Sequence, residues 1–178
     1  MKQPISSADF GKTAGDYLMH RAGFPESFFE KVSAWLPSTG RQILDLGTGT
    51  GTLAAGFSRR GMAVTGVDIS PEMIEAARQR SGSERISYQV AAAENLPFAD
   101  ASMDLICAGQ CWHWFDRAAV AAECRRVLKP GAPLIIAHFD WLPIPDSLVA
   151  RTEALIEAFN PSWRGGGGCG VYSQWFRD

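Results

Sequence analysis

From residue 27 to 159 the sequence alternates between segments with the apolar spacing of helices and short apolar segments typical of strands. The expected strands are residues 42–46, 62–69, 86–90, 103–108 and 133–138. Because these strands are apolar on both faces and are separated by helices, they predict a parallel sheet covered on both sides. Right-handed crossovers then give a doubly wound α/β fold with five parallel strands.

The expected helices begin and end at residues that favour helix termini. The first helix carries four apolar side chains at helical spacing, those of Phe28, Val32, Trp35 and Leu36. Three later helices are each preceded by a residue whose side-chain oxygen is expected to accept hydrogen bonds from the first backbone N–H groups. These capping residues are Ser70, Asp116 and Asp146.

The composition fits one domain with a core of its own. The chain has 178 residues, of which 46% are hydrophobic and 20% charged, and this excludes global disorder. The net charge is −2 and no basic stripe occurs, so binding to nucleic acid or to an acidic membrane surface is not expected. The sequence contains no apolar run of membrane-spanning length and no apolar N-terminal signal region, so we expect a cytoplasmic protein.

The four cysteines form no Cys-x-x-Cys pair. This spacing disfavours both a disulfide scaffold and a metal site. We therefore expect buried, reduced thiols and no bound metal.

The strongest local signal is the segment 43–51, in which a strand runs into Gly-x-Gly-x-Gly and a helix follows. Glycines tolerate positive φ angles and let a ligand approach the backbone where a Cβ atom would collide. In an open α/β sheet this turn lies at the carboxyl ends of the strands, where ligands bind. A tight turn chosen for its geometry alone is the alternative explanation.

Asp68 closes the second expected strand, 21 residues after Gly47. A carboxylate at this position can accept hydrogen bonds from both hydroxyl groups of an adenosine ribose. A helix-capping or turn aspartate is the alternative, although Ser70 is better placed to cap the helix that follows.

The glycine spacing bears on which nucleoside cofactor is bound. The dinucleotide fingerprint needs its third glycine at position 52, which is occupied by Thr52. S-adenosylmethionine has no phosphate, so loop amides and an acidic residue can meet its carboxylate and ammonium groups. Asp45 is placed to meet the ammonium. The spacing therefore favours S-adenosylmethionine, and a nicotinamide-dependent oxidoreductase is the alternative.

Five segments in order resemble the motifs of class I S-adenosylmethionine-dependent methyltransferases, and within them the methyltransferase type 11 group. They are residues 43–51, 67–71, 93–98, 103–106 and 126–131. The resemblance, which covers residues 9–160, implies a Rossmann-like sheet and methyl transfer from S-adenosylmethionine to a small-molecule acceptor by in-line displacement. The product would be S-adenosylhomocysteine, and the displacement itself needs no metal.

The resemblance also implies roles for individual residues. Those expected to border the methionine and the sugar are Gly47, Thr48, Gly49 and Gly51. Asp68 would bind the ribose diol, and Ile69 would cover the adenine face. Ala93 and Glu94 would flank the adenine, with a solvated glutamate at a helix start as the alternative for Glu94. Gln110 would contact the cofactor near its methionine end.

Three regions follow from the same resemblance: residues 1–26 as an N-terminal lid, 27–160 as the cofactor-binding domain, and 161–178 as a tail rich in glycine and tryptophan. In the lid, Tyr17 and Arg21 would close on the methionine carboxylate. Exposed residues of a mobile arm are the alternative for these two side chains.

The pair His113-Trp114 is similar to relatives that resemble trans-aconitate methyltransferases, which esterify small carboxylates. His113 is the candidate catalytic base for an acceptor that must lose a proton, and a packed histidine is the alternative. An apolar wall fits a small organic acceptor. The residues expected to form it are Trp112, Trp114, Trp141 and His138.

The chain departs from the family pattern because the last two strands are missing. We therefore expect a truncated or naturally short form, in which residues 134–137 are an apolar sheet edge able to pair with a second chain as a homodimer. A methyltransferase-like module that binds the cofactor or a partner without catalysis is the alternative function.

Overall fold

A computed structural model of the chain describes residues 23–36, 41–82, 85–138 and 145–162. The chain divides into two compact units, of which the first ends at Ala137 and the second begins at His138. Of the expected lid, only residues 23–26 are described, and of the expected tail only residues 161 and 162.

The first unit contains a five-stranded sheet. Its strands are β1 (Gln42–Leu46), β2 (Ala63–Asp68), β3 (Ile86–Val90), β4 (Leu105–Gly109) and β5 (Leu134–Ala137). The strand order is β3-β2-β1-β4-β5, and every pair is parallel. The predicted α/β fold with five parallel strands is confirmed. Since β1 lies in the middle of the sheet, the glycine segment that follows it is placed at the centre of the carboxyl edge.

Helices connect β1 to β2, β2 to β3 and β4 to β5, whereas β3 and β4 are joined without a helix. The first unit has α1 (Glu26–Ser33), α2 (Thr52–Ser58), α3 (Pro71–Arg80), a 3-10 turn (Trp112–Trp114) and α4 (Arg117–Val127), and the second has α5 (Leu148–Phe159). Within the described ranges, no helix is both long enough and apolar enough to cross a lipid bilayer.

The core includes the apolar side chains of α1, α2 and β1. The rings of Phe29 and Phe57 meet edge to face at 5.1 Å, and Leu44 of the central strand is fully buried. The spacing correctly predicted an apolar face on α1, but Trp35, one of the four apolar residues of that pattern, is 66% exposed. The reason is that α1 ends at Ser33, so Trp35 lies beyond its last turn.

Two of the three predicted helix caps are confirmed. The Ser70 hydroxyl accepts a hydrogen bond from the Met73 N–H at 3.2 Å, and the Asp116 carboxylate accepts bonds from two N–H groups of α4. The prediction for Asp146 was wrong, since Ser147 caps α5 by accepting a bond from the Ala150 N–H at 3.1 Å. Asp146 instead takes a φ of +66°, so it forms the turn that precedes the cap.

Candidate functional site

A cavity of about 410 Å³ lies within the first unit, at the carboxyl ends of β1, β2, β3 and β4. Its volume is within the usual range for small-molecule sites, and this edge of an α/β sheet is where ligands bind. Nine residues proposed from the sequence line it: Gly47, Gly49, Asp68, Ile69, Ala93, Glu94, Gln110, His113 and Trp114. The structure thus brings together residues that are far apart in the sequence.

Other proposed residues lie elsewhere. Asp45, Thr48, Gly51 and Trp112 are not among the described residues that line the cavity. Tyr17, Arg21 and Trp141 fall outside the described ranges. His138 is the first residue of the second unit.

The glycine segment turns sharply where β1 ends. Gly47 has a φ of +56°, and a Cβ atom added there would lie 2.8 Å from the Cβ atom of Cys111. The neighbouring Thr48 N–H donates to the Val67 carbonyl at 2.9 Å, which ties the turn to β2. Only glycine meets both requirements at position 47, the backbone angle and the close neighbour.

Asp68 forms one side of the cavity at the end of β2. One carboxylate oxygen accepts a hydrogen bond from the Gly49 N–H at 2.9 Å, and the other accepts one from the Ser70 N–H at 3.0 Å. The carboxylate therefore fixes the glycine segment and the start of α3 while it lines the cavity. The turn role and the ligand role, which were alternatives at the sequence level, are compatible, because carboxylate oxygens have lone pairs left over.

Asp45 lies behind the glycine segment and is 1% exposed. Its carboxylate accepts hydrogen bonds from the Thr48 hydroxyl at 2.7 Å and from the Ala54 N–H at 3.2 Å. Burial raises the pKa of Asp45 to about 7, against the effect of these two hydrogen bonds. In this arrangement Asp45 shapes the loop and joins it to α2.

The side of the cavity beside β2 and β3 combines apolar surface with a second carboxylate besides that of Asp68. Ile69 is 74% exposed although it is a large apolar residue, and it lies directly at the cavity. Glu94, by contrast, is charged, and its carboxylate accepts a hydrogen bond from the Asp116 N–H at 3.1 Å. An exposed apolar side chain next to a carboxylate suits a flat heteroaromatic ring that carries hydrogen-bonding groups.

The other end of the cavity follows β4. Gln110 has a φ of +63°, a left-handed conformation that is costly for a residue other than glycine and that often occurs at functional sites. Its N–H donates to the Ala137 carbonyl at 2.9 Å, which holds this turn. The ring centroids of His113 and Trp114 are 4.8 Å apart, whereas Trp112 packs edge to face on Phe115.

Sequence reasoning missed several lining residues, namely Val67, Met73, Ala91, Ala92, Gly109, Cys111 and Phe115. Most contribute apolar surface or backbone, and nothing in the local sequence distinguishes them from core residues. Cys111 donates a hydrogen bond from its thiol to the Leu46 carbonyl at 3.1 Å. Burial raises the pKa of this thiol, which favours its protonated form at neutral pH. The described residues form no group of three or more metal-ligating side chains.

Comparison with known proteins gives the family. Residues 44–136, which include the glycine segment and most of the cavity, match the family described as "Methyltransferase domain". The chain belongs to the class I S-adenosylmethionine-dependent methyltransferases.

Individual relatives agree with this assignment. The chain is 37% identical over 128 residues to an uncharacterized methyltransferase of Mycobacterium tuberculosis, covering 72% of this chain and 51% of that protein. It is 33% identical over 138 residues to malonyl-[acyl-carrier protein] O-methyltransferase of Serratia marcescens, covering 76% of this chain and 52% of that protein. A solved structure of a putative type II methyltransferase from Anaeromyxobacter dehalogenans is 29% identical, with a TM-score of 0.66. The match covers 78% of this chain and 57% of that one. The chain spans about half the length of the curated relatives it matches.

The residues at this cavity fit the adenosyl part of S-adenosylmethionine. A carboxylate, an exposed isoleucine and a segment of small residues surround one end of the cavity. These groups supply acceptors for sugar hydroxyls and an apolar face for adenine.

Proposed function

We propose that this domain binds S-adenosylmethionine in the cavity and transfers its methyl group to a small organic acceptor, leaving S-adenosylhomocysteine. The observation that carries the proposal is Asp68, whose carboxylate lines the cavity at the end of β2 while it holds the glycine segment of β1. A carboxylate in this position is suited to the two hydroxyl groups of a ribose.

Several cavity residues then have a role in binding the cofactor. Asp68 accepts hydrogen bonds from the ribose diol, Ile69 covers the adenine, and the segment from Ala91 to Glu94 borders the adenine edge. Gly47 and Gly49 let the cofactor approach the backbone. Gln110 is proposed to contact the methionine part, and the same holds for Tyr17 and Arg21 of the lid.

Three proposed cofactor residues act on the loop and not on the ligand. Asp45 and Thr48 hydrogen-bond to each other behind the glycine segment. Gly51, with a φ of +78°, is the N-cap residue of α2. We therefore propose that these residues hold the backbone N–H groups of the segment in position.

The bound cofactor supplies a methyl group on a sulfonium sulfur, and its leaving group is the thioether sulfur of S-adenosylhomocysteine, which departs neutral. The protein has to hold the acceptor and the methyl group within about 3–3.5 Å and keep water out, which is worth roughly 7–11 kcal/mol of the barrier. The half-exposed Trp114 and the ring of Phe115 give the acceptor end an apolar surface for this purpose.

For the acceptor we propose an oxygen nucleophile, and a carboxylate in particular. The Serratia relative is named as an O-methyltransferase of malonyl-[acyl-carrier protein], and a malonyl group ends in a carboxylate. A carboxylate is ionised at neutral pH and needs no base. For an acceptor that must lose a proton, His113 at the cavity is the proposed base. Three expectations stay predictions. They are the roles of Trp141 and His138 in the acceptor wall, the pairing of two chains through β5, and a cytoplasmic location.

Calorimetric titration with S-adenosylmethionine, S-adenosylhomocysteine and NAD tests the cofactor. We expect the first two to bind and NAD not to bind. Asp68→Ala should weaken both affinities at least about tenfold, or about 1.4 kcal/mol, since it removes the acceptor for the ribose. The matched control is Asp146→Asn, which changes an exposed aspartate outside the cavity.

Unchanged affinity in Asp68→Ala would show that the ribose assignment is wrong, and binding of NAD alone would overturn the function. Tight binding of both sulfur nucleosides without turnover on any small carboxylate or phenol favours the non-catalytic module.

A further inference from the structure

The adenine side of the cavity is formed by chain that is neither helix nor strand. We call residues 91–94 the wall segment; all four line the cavity, and the chain continues through 95–100 without regular structure. The segment is attached to β2 by the Ala91 N–H, which donates to the Asp68 carbonyl at 3.0 Å. Such a segment needs further contacts to keep one conformation, because irregular backbone has no hydrogen-bond ladder of its own.

Those contacts come from two charged residues of α4. The Arg126 guanidinium donates to the carbonyl of Leu96 at 2.9 Å and to that of Phe98 at 2.7 Å. The Glu123 carboxylate accepts a hydrogen bond from the Leu96 N–H at 2.8 Å. Leu96, which is 3% exposed, thus has both of its backbone polar groups bonded to side chains of one helix.

The two side chains also hold each other. Arg126 donates to both oxygens of Glu123, from Nε at 2.8 Å and from Nη2 at 2.7 Å, and also contacts Asp100 at 2.8 Å. This two-point pairing uses the planar fork of the guanidinium, which lysine lacks. Arg126 lowers the pKa of the Glu123 carboxyl to about 2, so Glu123 remains charged at any pH near neutrality.

A contribution to the stability of the fold does not explain why Arg126 and Glu123 make so many contacts. The side chains of Arg126 and Glu123 are 32% and 20% exposed, and ion pairs near the surface contribute little free energy of unfolding. Apart from each other and the Asp100 carboxylate, their partners are backbone atoms of a single segment that leads to the cavity. The arrangement therefore restricts where residues 91–98 lie more than it stabilises the whole molecule.

We infer that Arg126 and Glu123 are positioning residues for cofactor binding: without touching the ligand, they fix the wall segment against which the adenosyl group binds. This inference rests on the proposed function, because it assumes that the adenosyl group occupies this side of the cavity. Neither residue lines the cavity itself.

The test compares Arg126→Ala, Arg126→Lys and Glu123→Gln with the control Arg125→Ala, which changes the exposed neighbouring arginine of the same helix. We expect Arg126→Ala to weaken binding of S-adenosylhomocysteine and raise the KM for S-adenosylmethionine about tenfold, with kcat at saturation changed less than about twofold. Arg126→Lys should recover part of the affinity, since it keeps the charge and loses the fork. Glu123→Gln should have a smaller effect, because the amide oxygen still accepts from the Leu96 N–H.

Amide hydrogen exchange provides a readout that does not depend on the cofactor. Arg126→Ala should speed exchange in residues 91–100 and leave β1 and β4 as in the wild type. Wild-type affinity in Arg126→Ala, or a loss of kcat at unchanged KM, overturns the inference, as does unchanged exchange in the segment. If the wild-type protein binds neither sulfur nucleoside, the proposed function fails and the role in cofactor binding fails with it, whereas faster exchange in the variant would still establish that the two residues fix the segment.

Discussion

Two aspartates at the ends of neighbouring strands show how far side-chain environment decides function. Asp45 is the penultimate residue of β1 and is 1% exposed, whereas Asp68 is the last residue of β2 and lines the cavity. Both looked like ligand-binding carboxylates in the sequence. Their exposure differs because the glycine segment and α2 fold over Asp45. This packing cannot be predicted from the residues around Asp45 in the sequence.

Asp45 should make the stability of the ligand-free protein depend on pH. Burial raises its pKa from 3.8 to about 7, so between these values the folded state keeps a proton that the unfolded state has released. The free energy of unfolding should therefore fall as pH rises from about 4 to about 7, by up to about 4 kcal/mol. Asp45→Asn keeps the hydrogen-bond acceptor without the charge, and should flatten this decline.

Urea denaturation of the two proteins across this pH range measures the effect. Asp146→Asn, at an exposed site, is the control and should follow the wild type. Parallel curves for Asp45→Asn and the wild type would mean that Asp45 is ionised in the folded state throughout.

His113 should matter for turnover more than for cofactor binding. It lines the cavity after β4, and its ring lies beside that of Trp114. If it removes a proton from the acceptor, His113→Ala should lower kcat about 100-fold or more while changing the affinity for S-adenosylmethionine less than about twofold. Release of S-adenosylhomocysteine with a phenolic acceptor gives the rate, and calorimetry gives the affinity. The opposite pattern would identify a packing residue.

At the scale of elements, the sequence predicted the strands and helices well because their signals are local. The boundaries of β1 and β3 agree with the predicted 42–46 and 86–90, whereas β4 begins at Leu105 and not at 103. Met103 there pairs with Leu128 as an isolated bridge, a contact that depends on the fold and not on the apolar run. Trp35, which the spacing placed among the apolar residues of the first helix, is exposed because burial is set by the partner surface, which the spacing within one helix cannot reveal.

The cap of α4 offers a test at this scale. The Asp116 carboxylate accepts from the Ala118 and Ala119 N–H groups, both at 3.2 Å, while its own N–H donates to Glu94. Asp116→Ala should lower the free energy of unfolding by about 1 kcal/mol, because two N–H groups lose their acceptor. Asp116→Asn, which restores an acceptor, should return most of this energy in urea denaturation. Equal losses in both variants would mean that charge and not capping is responsible.

At the scale of the whole molecule, the sheet and the cavity depend on contacts between distant residues. The cavity joins segments that follow four strands, and sequence reasoning found nine of its residues because the glycine spacing, the acidic strand end and the family resemblance each mark a known place on this sheet. It missed Cys111 and Phe115, which line the same cavity without any polar signature. Backbone angles such as the positive φ of Gln110 were equally beyond the sequence.

Association of two chains through β5 stays a prediction that light scattering checks. In the described part of the chain, β5 pairs only with β4, and Ile136 is 37% exposed. We expect a dimer that dissociates in Ile136→Lys, since a charged side chain on an edge strand opposes pairing. Leu155→Lys, at an exposed site of α5, is the control. A wild-type chain that is monomeric at all concentrations contradicts this prediction.

The two carboxylates at the cavity have a consequence for competition by other adenosine compounds. Asp68 and Glu94 line the site, and none of its described lining residues is a lysine or arginine. ATP and ADP share the adenosine of the cofactor but carry several negative charges, which this surface repels, whereas the sulfonium compound brings a positive one. We therefore expect charge to favour the sulfonium compound over these adenylates, and raising the ionic strength should reduce that preference.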